Sequence, residues 1–358
     1  MSLKIVTIVG ARPQFIKASP VSRALRREHK EFLLHTGQHY DRNMSQLFFE
    51  ELDIPEPDLN LEIGSGPHGE QTAQMLAGIE RVLAGQKPDR VLVYGDTNST
   101  LAGALAAAKL NIPVDHIEAG LRSFNREMPE EINRILTDRI SALLFCPTAT
   151  AVAHLQHEGI TRGVHNTGDV MYDAALHFAD LAAGRSSILE RLDAAPGGYL
   201  LVTCHRPQNT DDPAALGAIV SALIASGERV IFPVHPRTVG FLRRSGLMER
   251  LQNAGKISLI EPVGYLEMIQ LEQHARMIVT DSGGVQKEAF FYRIPCVTLR
   301  DETEWVETVK DGWNLLVGSD HDRILDAIRT FTPPAQQMAH YGSGRASAEI
   351  VRILGGTV

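Results

Sequence analysis

At 358 residues the chain has the length of two domains of roughly 150 residues each, and its 44% hydrophobic content can fill a core in both. A formal net charge of −8 with no basic tract argues against nonspecific nucleic-acid binding. No apolar run approaches the roughly 18 residues of a membrane span, and Met1-Ser2-Leu3-Lys4 leads straight into a strand pattern rather than a signal peptide, so a cytoplasmic protein is expected. Cys146, Cys204 and Cys296 are far apart and lack CxxC spacing, which predicts buried free thiols and no zinc site.

The first predicted strand, over 3–9, ends at Gly10-Ala11-Arg12-Pro13, and a helix is predicted over 14–28. A strand, a glycine turn and a helix start form a phosphate-binding geometry, with the helix amino end facing the anion. The turn is not a GxGxxG, but Arg12 and Lys17 can both reach back over that helix end; Lys17 suits an exposed helix face equally well. A strand over 32–35 and the polar loop Thr36-Gly37-Gln38-His39-Tyr40-Asp41 follow, then a helix over 45–53. The long loop over 54–70 is of a kind that tends to be functional or mobile, and a helix runs on to 84.

The stretch from Arg90 to Arg139 organises the chain. The strand Val91-Leu92-Val93-Tyr94 stops at Gly95-Asp96-Thr97, a small-residue helix covers 100–109, and a second strand over 114–117 ends at Glu118-Ala119-Gly120. In open parallel sheets ligands bind beyond the carboxyl ends of the strands, so Asp96 and Glu118 would face one crevice. Pro129-Glu130-Glu131 heads the next helix, with Arg122, Arg126 and Arg134 interleaved. Singly, each acid fits a cap or a loop brace, and Glu130 and Glu131 fit the favourable dipole of a first helical turn. As a set they point to acid–base chemistry. A strand over 143–146, a helix over 148–158 and a strand ending at Gly168-Asp169 complete an alternating pattern, hence a parallel sheet covered by helices on both faces.

A second alternating set follows, which places a first domain over 1–168 and a second over 169–339. Its strands are predicted over 199–203, 230–233, 257–260, 277–280, 296–299 and 314–317. Helices are predicted over 213–226, 236–253, 264–274, 284–292, 303–310 and 320–330, with a last one over 346–354. The first strand of this half ends on Cys204-His205-Arg206-Pro207, where His205 is an acid/base candidate or a structural histidine. Pro233-Val234-His235-Pro236-Arg237 is a proline-fixed turn. In Thr280-Asp281-Ser282-Gly283-Gly284 the amides of Ser282, Gly283 and Gly284 would be free at a helix start to cradle a diphosphate, and Glu288 one turn on could accept from ribose hydroxyls.

Assembled, these motifs resemble the non-hydrolysing UDP-N-acetylglucosamine 2-epimerases over nearly the whole chain. The motifs are GARPQFIK at 10–17, GDT at 95–97, EAGLR at 118–122, PEEINR at 129–134, HR at 205–206, HPR at 235–237, DSGGVQKE at 281–288 and RDETE at 300–304. The resemblance implies an α/β fold of two Rossmann-like, doubly wound parallel-sheet domains facing a cleft, the glycosyltransferase-B architecture, with the segment 340–358 packing back on the first domain. It further implies a UDP-sugar substrate, a homodimer, a cytoplasmic role in polysaccharide precursor supply, and no metal or nicotinamide cofactor. Carried over by position, Asp96, Glu118, Glu130 and His205 match catalytic residues. Arg12, Lys17, Gln38, Arg134, Ser282, Gly283, Gly284 and Glu288 match nucleotide or phosphate contacts, and Val263 falls where the backbone holds the uracil.

The chemistry makes sense of these residues independently. The C2–H of a sugar nucleotide is hardly acidic until the C1–O bond to UDP loosens and charge develops at C1. A carboxylate base near C2 and cations on the departing diphosphate are then what the reaction needs. A glycosyltransferase would share the diphosphate cradle but has no use for three acids. A hydrolysing epimerase and a non-catalytic UDP-sugar sensor also compete for the same motifs. UDP-N-acetylglucosamine, the family's commonest substrate, is the expected sugar. Two departures bear on it: Gln14 stands where the commoner motif has Glu, and Trp305 where it has Arg. Both resemble the branch acting on UDP-2,3-diacetamido-2,3-dideoxy-glucuronic acid, the alternative substrate. Read as charges, the first change removes an acid beside the Arg12–Lys17 loop and the second a cation.

Overall fold

The computed structural model describes residues 2–37 and 54–356, so Gln38 and the helix predicted over 45–53 lie outside the described residues. The chain divides into two compact units, Met1–His177 with Ala339–Val358, and Phe178–Met338. The division falls inside the helix Val170–Arg185, just beyond the Gly168-Asp169 turn.

In the first unit the strands are β1 (Lys4–Val9), β2 (Lys30–His35), β3 (Leu59–Asn60), β4 (Arg90–Tyr94), β5 (Val114–Ile117), β6 (Leu143–Cys146) and β7 (Val164–Asn166). They form one parallel sheet in the order β3-β2-β1-β4-β5-β6-β7. The second unit holds β8 (Leu200–Thr203), β9 (Val230–Pro233), β10 (Ile257–Ile260), β11 (Met277–Thr280), β12 (Cys296–Thr298) and β13 (Asn314–Leu316). Its sheet is parallel too, ordered β10-β9-β8-β11-β12-β13. Strands β5, β6, β8 and β11 are buried at every residue, as expected of strands covered on both faces.

Each order reverses once, between β1 and β4 and between β8 and β11. A crevice opens at such a switch point because the connections on its two sides run to opposite faces. Ile8 pairs with Val93, so the turns after β1 and β4 leave the sheet side by side. Thr203 pairs with Thr280, which does the same for the turns after β8 and β11. The turns carrying Arg12 and Asp96 in the first unit, and those carrying His205 and Ser282 in the second, therefore lie at each unit's own switch point.

Local chemistry sets where these turns lie. The helix Asn98–Lys109 is held close to the sheet by small residues: a Cβ on Gly103 would sit 2.9 Å from Ile8 Cδ1 and 3.2 Å from Val93 Cγ1. Thr97 caps it by accepting from the Thr100 amide, which fixes the exit of the chain from β4. In the second unit Asp212 caps the helix Pro213–Ser226 and Gly227, at φ 66°, ends it.

The single helix predicted over 236–253 is instead two, Pro236–Arg244 and Leu247–Gln252. Gly246 separates them at φ 68°, a left-handed conformation that an α-helix cannot continue through. Strand β3 lies in a segment that reads as loop, because two residues are too few for an alternation. From Ala339 the chain belongs to the first unit, where the helix Ala346–Gly355 packs on the helix Arg12–Glu28. The Asp173 carboxylate caps that last helix, accepting from the Ala346 and Ser347 amides at 3.0 and 2.7 Å. All three cysteines are buried and free, and no helix among the described residues is long and apolar enough to cross a membrane.

Candidate active site

In the first unit the site is built on the ends of β1, β4 and β5. The turn after β1 differs from the phosphate cradle expected of it. Gln14 is 2% exposed, and its Oε1 accepts from the Gly10 and Ala11 amides at 2.8 and 3.0 Å. Its Nε2 donates to the Tyr94 carbonyl at 2.8 Å and to Thr100 Oγ1 at 3.0 Å. Those amides are thus spent inside the fold. Gly10 is demanded by packing: a Cβ there would fall 2.0 Å from Ser99 Oγ and 2.3 Å from Thr36 Oγ1. Arg12 opens the helix as its first residue, with its side chain exposed at the amino end.

Lys17, one turn further, forms an ion pair with Glu118 Oε2, and both side chains are largely buried. Glu118 has φ 71°, a conformation that costs a residue with a side chain energy and persists only where its surroundings impose it. Gly95 makes the room: a Cβ on it would lie 3.0 Å from Glu118 Oε2 and 3.4 Å from Lys17 Nζ. Asp96, about one-third exposed, is ion-paired with the Arg134 guanidinium. Arg134 also donates to Glu131 Oε2 at 2.6 Å. Burial works against the charge of Arg134, but the Asp96 and Glu131 carboxylates outweigh it and raise its pKa.

Glu130 and Glu131, alike in sequence, have different surroundings. Glu130 is exposed at the head of the helix Pro129–Ile140. Glu131 is buried and braces the preceding loop, accepting from the Ser123 amide at 2.9 Å, Ser123 Oγ at 3.0 Å and the Phe124 amide at 3.0 Å. Burial alone would raise its pKa, yet those bonds and Arg134 hold it below the usual carboxylate value.

The second unit carries its set on the ends of β8 and β11. Asp281, fully buried, accepts from the amides of His205 and Arg206 at 3.0 and 2.9 Å and from Asn209 Nδ2 at 3.1 Å, lashing the two strand ends together. The His205 ring projects from this knot about half-exposed, 6.3 Å from the His235 ring. Burial, helped by His235 and Arg206 and opposed by Asp281, lowers its pKa below the ordinary histidine value. The Ser282 amide donates to Thr280 Oγ1 at 2.9 Å, so of the three expected cradle amides it is already engaged. Gly283 and Gly284 open the helix Gly283–Phe291, whose N-cap Ser282 makes no side-chain cap. Their amides, in the first turn, have no intrahelical acceptor.

The wall beside Gly283 is tight: a Cβ there would meet Glu304 Oε1 at 2.6 Å and Trp305 Nε1 at 3.3 Å. Trp305 is buried, and the ammonium of the buried Lys287 lies 4.0 Å from its ring centroid. Glu288, also buried, accepts from the Tyr265 hydroxyl at 2.7 Å. Val263 packs on the apolar cluster around Leu271, Ile278 and Val285. Among the described residues no three His, Cys, Asp or Glu side chains gather as they would around a metal ion.

The sequence profile of the family described as UDP-N-acetylglucosamine 2-epimerase matches residues 23–355. The chain belongs to that family. The enzyme is accordingly an isomerase, a UDP-sugar epimerase. A Methanococcus maripaludis protein named a UDP-N-acetylglucosamine 2-epimerase homolog is 56% identical over 98% of this chain and 99% of its own. The UDP-2,3-diacetamido-2,3-dideoxy-D-glucuronate 2-epimerase of Pseudomonas aeruginosa is 53% identical, again over 98% and 99%. Among solved structures, the Methanocaldococcus jannaschii UDP-GlcNAc 2-epimerase in complex with UDP-GlcNAc and UDP superposes with a TM-score of 0.90 at 45% identity, covering 99% of this chain and 100% of that one.

The epimerase thus brings Lys17 to Glu118 and Arg134 to Asp96, and sets Arg12 and Glu130 at exposed helix starts. Of the readings open to Glu131 the structure shows the loop brace, and sequence reasoning passed over Lys287 as the partner of Trp305. Spacing held a signal for the first, since Glu131 and Arg134 are one turn apart and face the same way.

Proposed function

We propose that this epimerase inverts C2 of a UDP-linked 2-acetamido sugar by eliminating and re-adding UDP. A carboxylate removes the C2 proton as the C1–O bond breaks, and the electron pair leaves with the diphosphate oxygen. The product is a 2-acetamidoglycal and UDP. Protonation of C2 from the opposite face and return of the UDP oxygen to C1 complete the inversion. Asp96, Glu118 and Glu130 are the acid–base set. Arg12, Lys17, His205 and the amides of Gly283 and Gly284 receive the diphosphate, with Gln38, Arg134, Val263, Ser282 and Glu288 completing the nucleotide contacts. The observation that carries this reading is the placement of Asp96 and Glu118 at adjacent strand ends, each beside its own cation. Each of these carboxylates lies beside a cation that can follow charge onto the leaving group.

For the sugar, two observations favour the diacetamido-glucuronate. Identity to the enzyme of that name is 53%, against 45% and 46% for two relatives named UDP-N-acetylglucosamine 2-epimerase, while the 56% relative is named only a homolog of the latter. Gln14 and Trp305 also resemble that branch. UDP-N-acetylglucosamine is the second reading, supported by the family match. Incubating the enzyme with each sugar in deuterated water and reading C2 by NMR tests both levels. Deuterium at C2 with retention of UDP-sugar supports epimerisation, and the faster sugar names the substrate. Free sugar with UDP instead would mean a hydrolysing enzyme, and no exchange with either would sink the proposal.

The same reading includes a homodimer working in the cytoplasm on polysaccharide precursors. Ile132, Leu136 and Ile140, 48%, 47% and 37% exposed, form a stripe along the helix Pro129–Ile140 that supports self-association. Light scattering of the wild type against Leu136→Glu tests it, a monomer in both cases counting against a dimer.

A further inference from the structure

Behind the two acid-bearing turns of the first unit lies a buried polar chain that none of the roles above uses. His116, on β5, is fully buried. Its Nδ1 is 2.7 Å from Asp138 Oδ1 and its Nε2 is 2.7 Å from the carbonyl oxygen of Gly95. Both partners are acceptors, and a neutral imidazole has only one N–H to give. Asp138 in turn accepts from the Gly120 amide at 3.1 Å and from Arg122 at 2.7 Å, and Arg122 forks onto Glu158 at 2.6 and 2.9 Å.

The attachments follow a pattern. Gly95 adjoins Asp96; Gly120 ends the turn that begins at Glu118; Asp138 belongs to the helix that carries Glu130 and Arg134. One histidine–carboxylate pair therefore ties together the three backbone segments that present the proposed acids. One of those segments is strained at Glu118, whose φ is 71°, while the glycines flanking the acids, Gly95 and Gly120, adopt φ of 61° and 79° freely and leave their orientation to such bonds. An apolar pair would fill the same core at a smaller desolvation cost, so the ionic chain is not explained by packing alone.

We infer that His116 is a positioning residue for the epimerisation: a ring donating from both nitrogens, anchored on Asp138, holds the Gly95 carbonyl and so orients the Gly95–Asp96 peptide from which the Asp96 side chain springs. The inference rests on the reading of Asp96 as an acid–base group. Asp138 and Arg122 are the charged groups around the ring, and Asp138 is held below the usual carboxylate value because His116 and Arg122 outweigh the effect of burial.

Two substitutions separate the ring's bonds. The amide nitrogen of Asn overlays Nδ1 and that of Gln overlays Nε2, so H116N keeps the donor toward Asp138 and H116Q the donor toward Gly95. Turnover, melting temperature and calorimetric UDP affinity are measured for both. H116N is expected to lose about 100-fold in kcat, the scale of a misplaced reacting group, with UDP affinity within about 3-fold of wild type. H116Q is expected to recover at least about 10-fold of that loss. Equal turnover in the two variants, or losses that follow the folded fraction, overturns the inference. Should neither variant fold, nitrogen-15 spectra of histidine-labelled wild type decide: a buried ring with two bound protons is expected, and one with a single proton overturns it. D96N separates the underlying reading. An active D96N removes Asp96 from the chemistry, whereas an inactive D96N beside equal H116N and H116Q removes only the positioning role.

Discussion

Lys17 and Glu118 form an ion pair that joins the helix after β1 to the turn after β5, with both side chains largely withdrawn from solvent. The Lys17 ammonium occupies the carboxylate that the proposed reaction needs as a base. In the proposed reaction an arriving diphosphate would compete for the ammonium and free Glu118 as the leaving group is bound. Lys17→Met is therefore expected to lower turnover by about 100-fold and to weaken UDP binding in the same variant. Turnover assays with calorimetry on UDP check both. Loss of turnover with UDP affinity intact would assign Lys17 to Glu118 alone.

The neighbours Glu130 and Glu131 should separate by readout. Glu130→Gln is expected to lower kcat by about 100-fold with little change in melting temperature, because its side chain is exposed. Glu131→Gln removes charge from a buried carboxylate that accepts from Arg134, Ser123 and Phe124, so it should destabilise by about 2–3 kcal/mol. Thermal melts and steady-state kinetics on both variants suffice. A stable, fully active E130Q would take Glu130 out of the mechanism.

Gly283→Val tests the cradle. Its Cβ would collide with Glu304 Oε1, and Glu304 is itself held by Arg300 at 3.1 Å, so the helix start must shift rather than the wall. Misaligned first-turn amides should cost UDP at least about 30-fold in affinity. Calorimetry with UDP alone reads this, and an unchanged affinity would mean the diphosphate binds elsewhere.

How much of this was legible in the sequence depended on whether a residue's role followed from its place on a strand or from the direction of its side chain. Both parallel sheets follow from runs such as Val91–Tyr94 and Leu200–Thr203, each stopped by a turn, and the turns mark the switch points. Asp96, Glu118 and His205 were findable because a strand end fixes where such a residue lies. At Gly10 the packing role was not legible: glycine there admits Ser99 and Thr36, partners distant in sequence. The Ser282 amide looks free until Thr280 is seen to turn its hydroxyl onto it. The single helix expected over 236–253 missed the break at Gly246, whose φ of 68° ends one helix and starts the next.

His205 should make UDP binding pH-dependent. Its pKa in the unliganded protein is lowered, first by burial, so the ring is neutral above the ordinary histidine range. A diphosphate beside it favours the imidazolium, so binding should take up a proton around neutral pH, and affinity should rise as pH falls toward about 6.5. Calorimetry at pH 7 in buffers of different ionisation enthalpy measures that uptake. His205→Asn is expected to abolish it; identical uptake in the variant would place the titration on the nucleotide.

Gln14 and Trp305 set the last prediction, because both look like sugar selectors in sequence and neither faces solvent in the structure. Read as charges they pull in opposite directions, one removing an acid and the other a cation. The structure replaces that reading with a mechanical one. Gln14 gives both amide hydrogens away, to the Tyr94 carbonyl and to Thr100 Oγ1. A glutamate there would set an oxygen against the Tyr94 carbonyl, which cannot turn to donate. Thr100 could donate to the new carboxylate only by abandoning its own 2.6 Å bond to that carbonyl. Gln14→Glu is therefore expected to destabilise the fold by about 2–3 kcal/mol, the cost of buried acceptors left without donors. The ratio of kcat/KM for the two UDP-sugars should stay within about 3-fold of wild type, or about 0.6 kcal/mol. Thermal melts and paired kinetics on both sugars read the two effects separately. A stable Q14E variant whose preference moves at least about 10-fold toward UDP-N-acetylglucosamine would show that position 14 chooses the sugar after all.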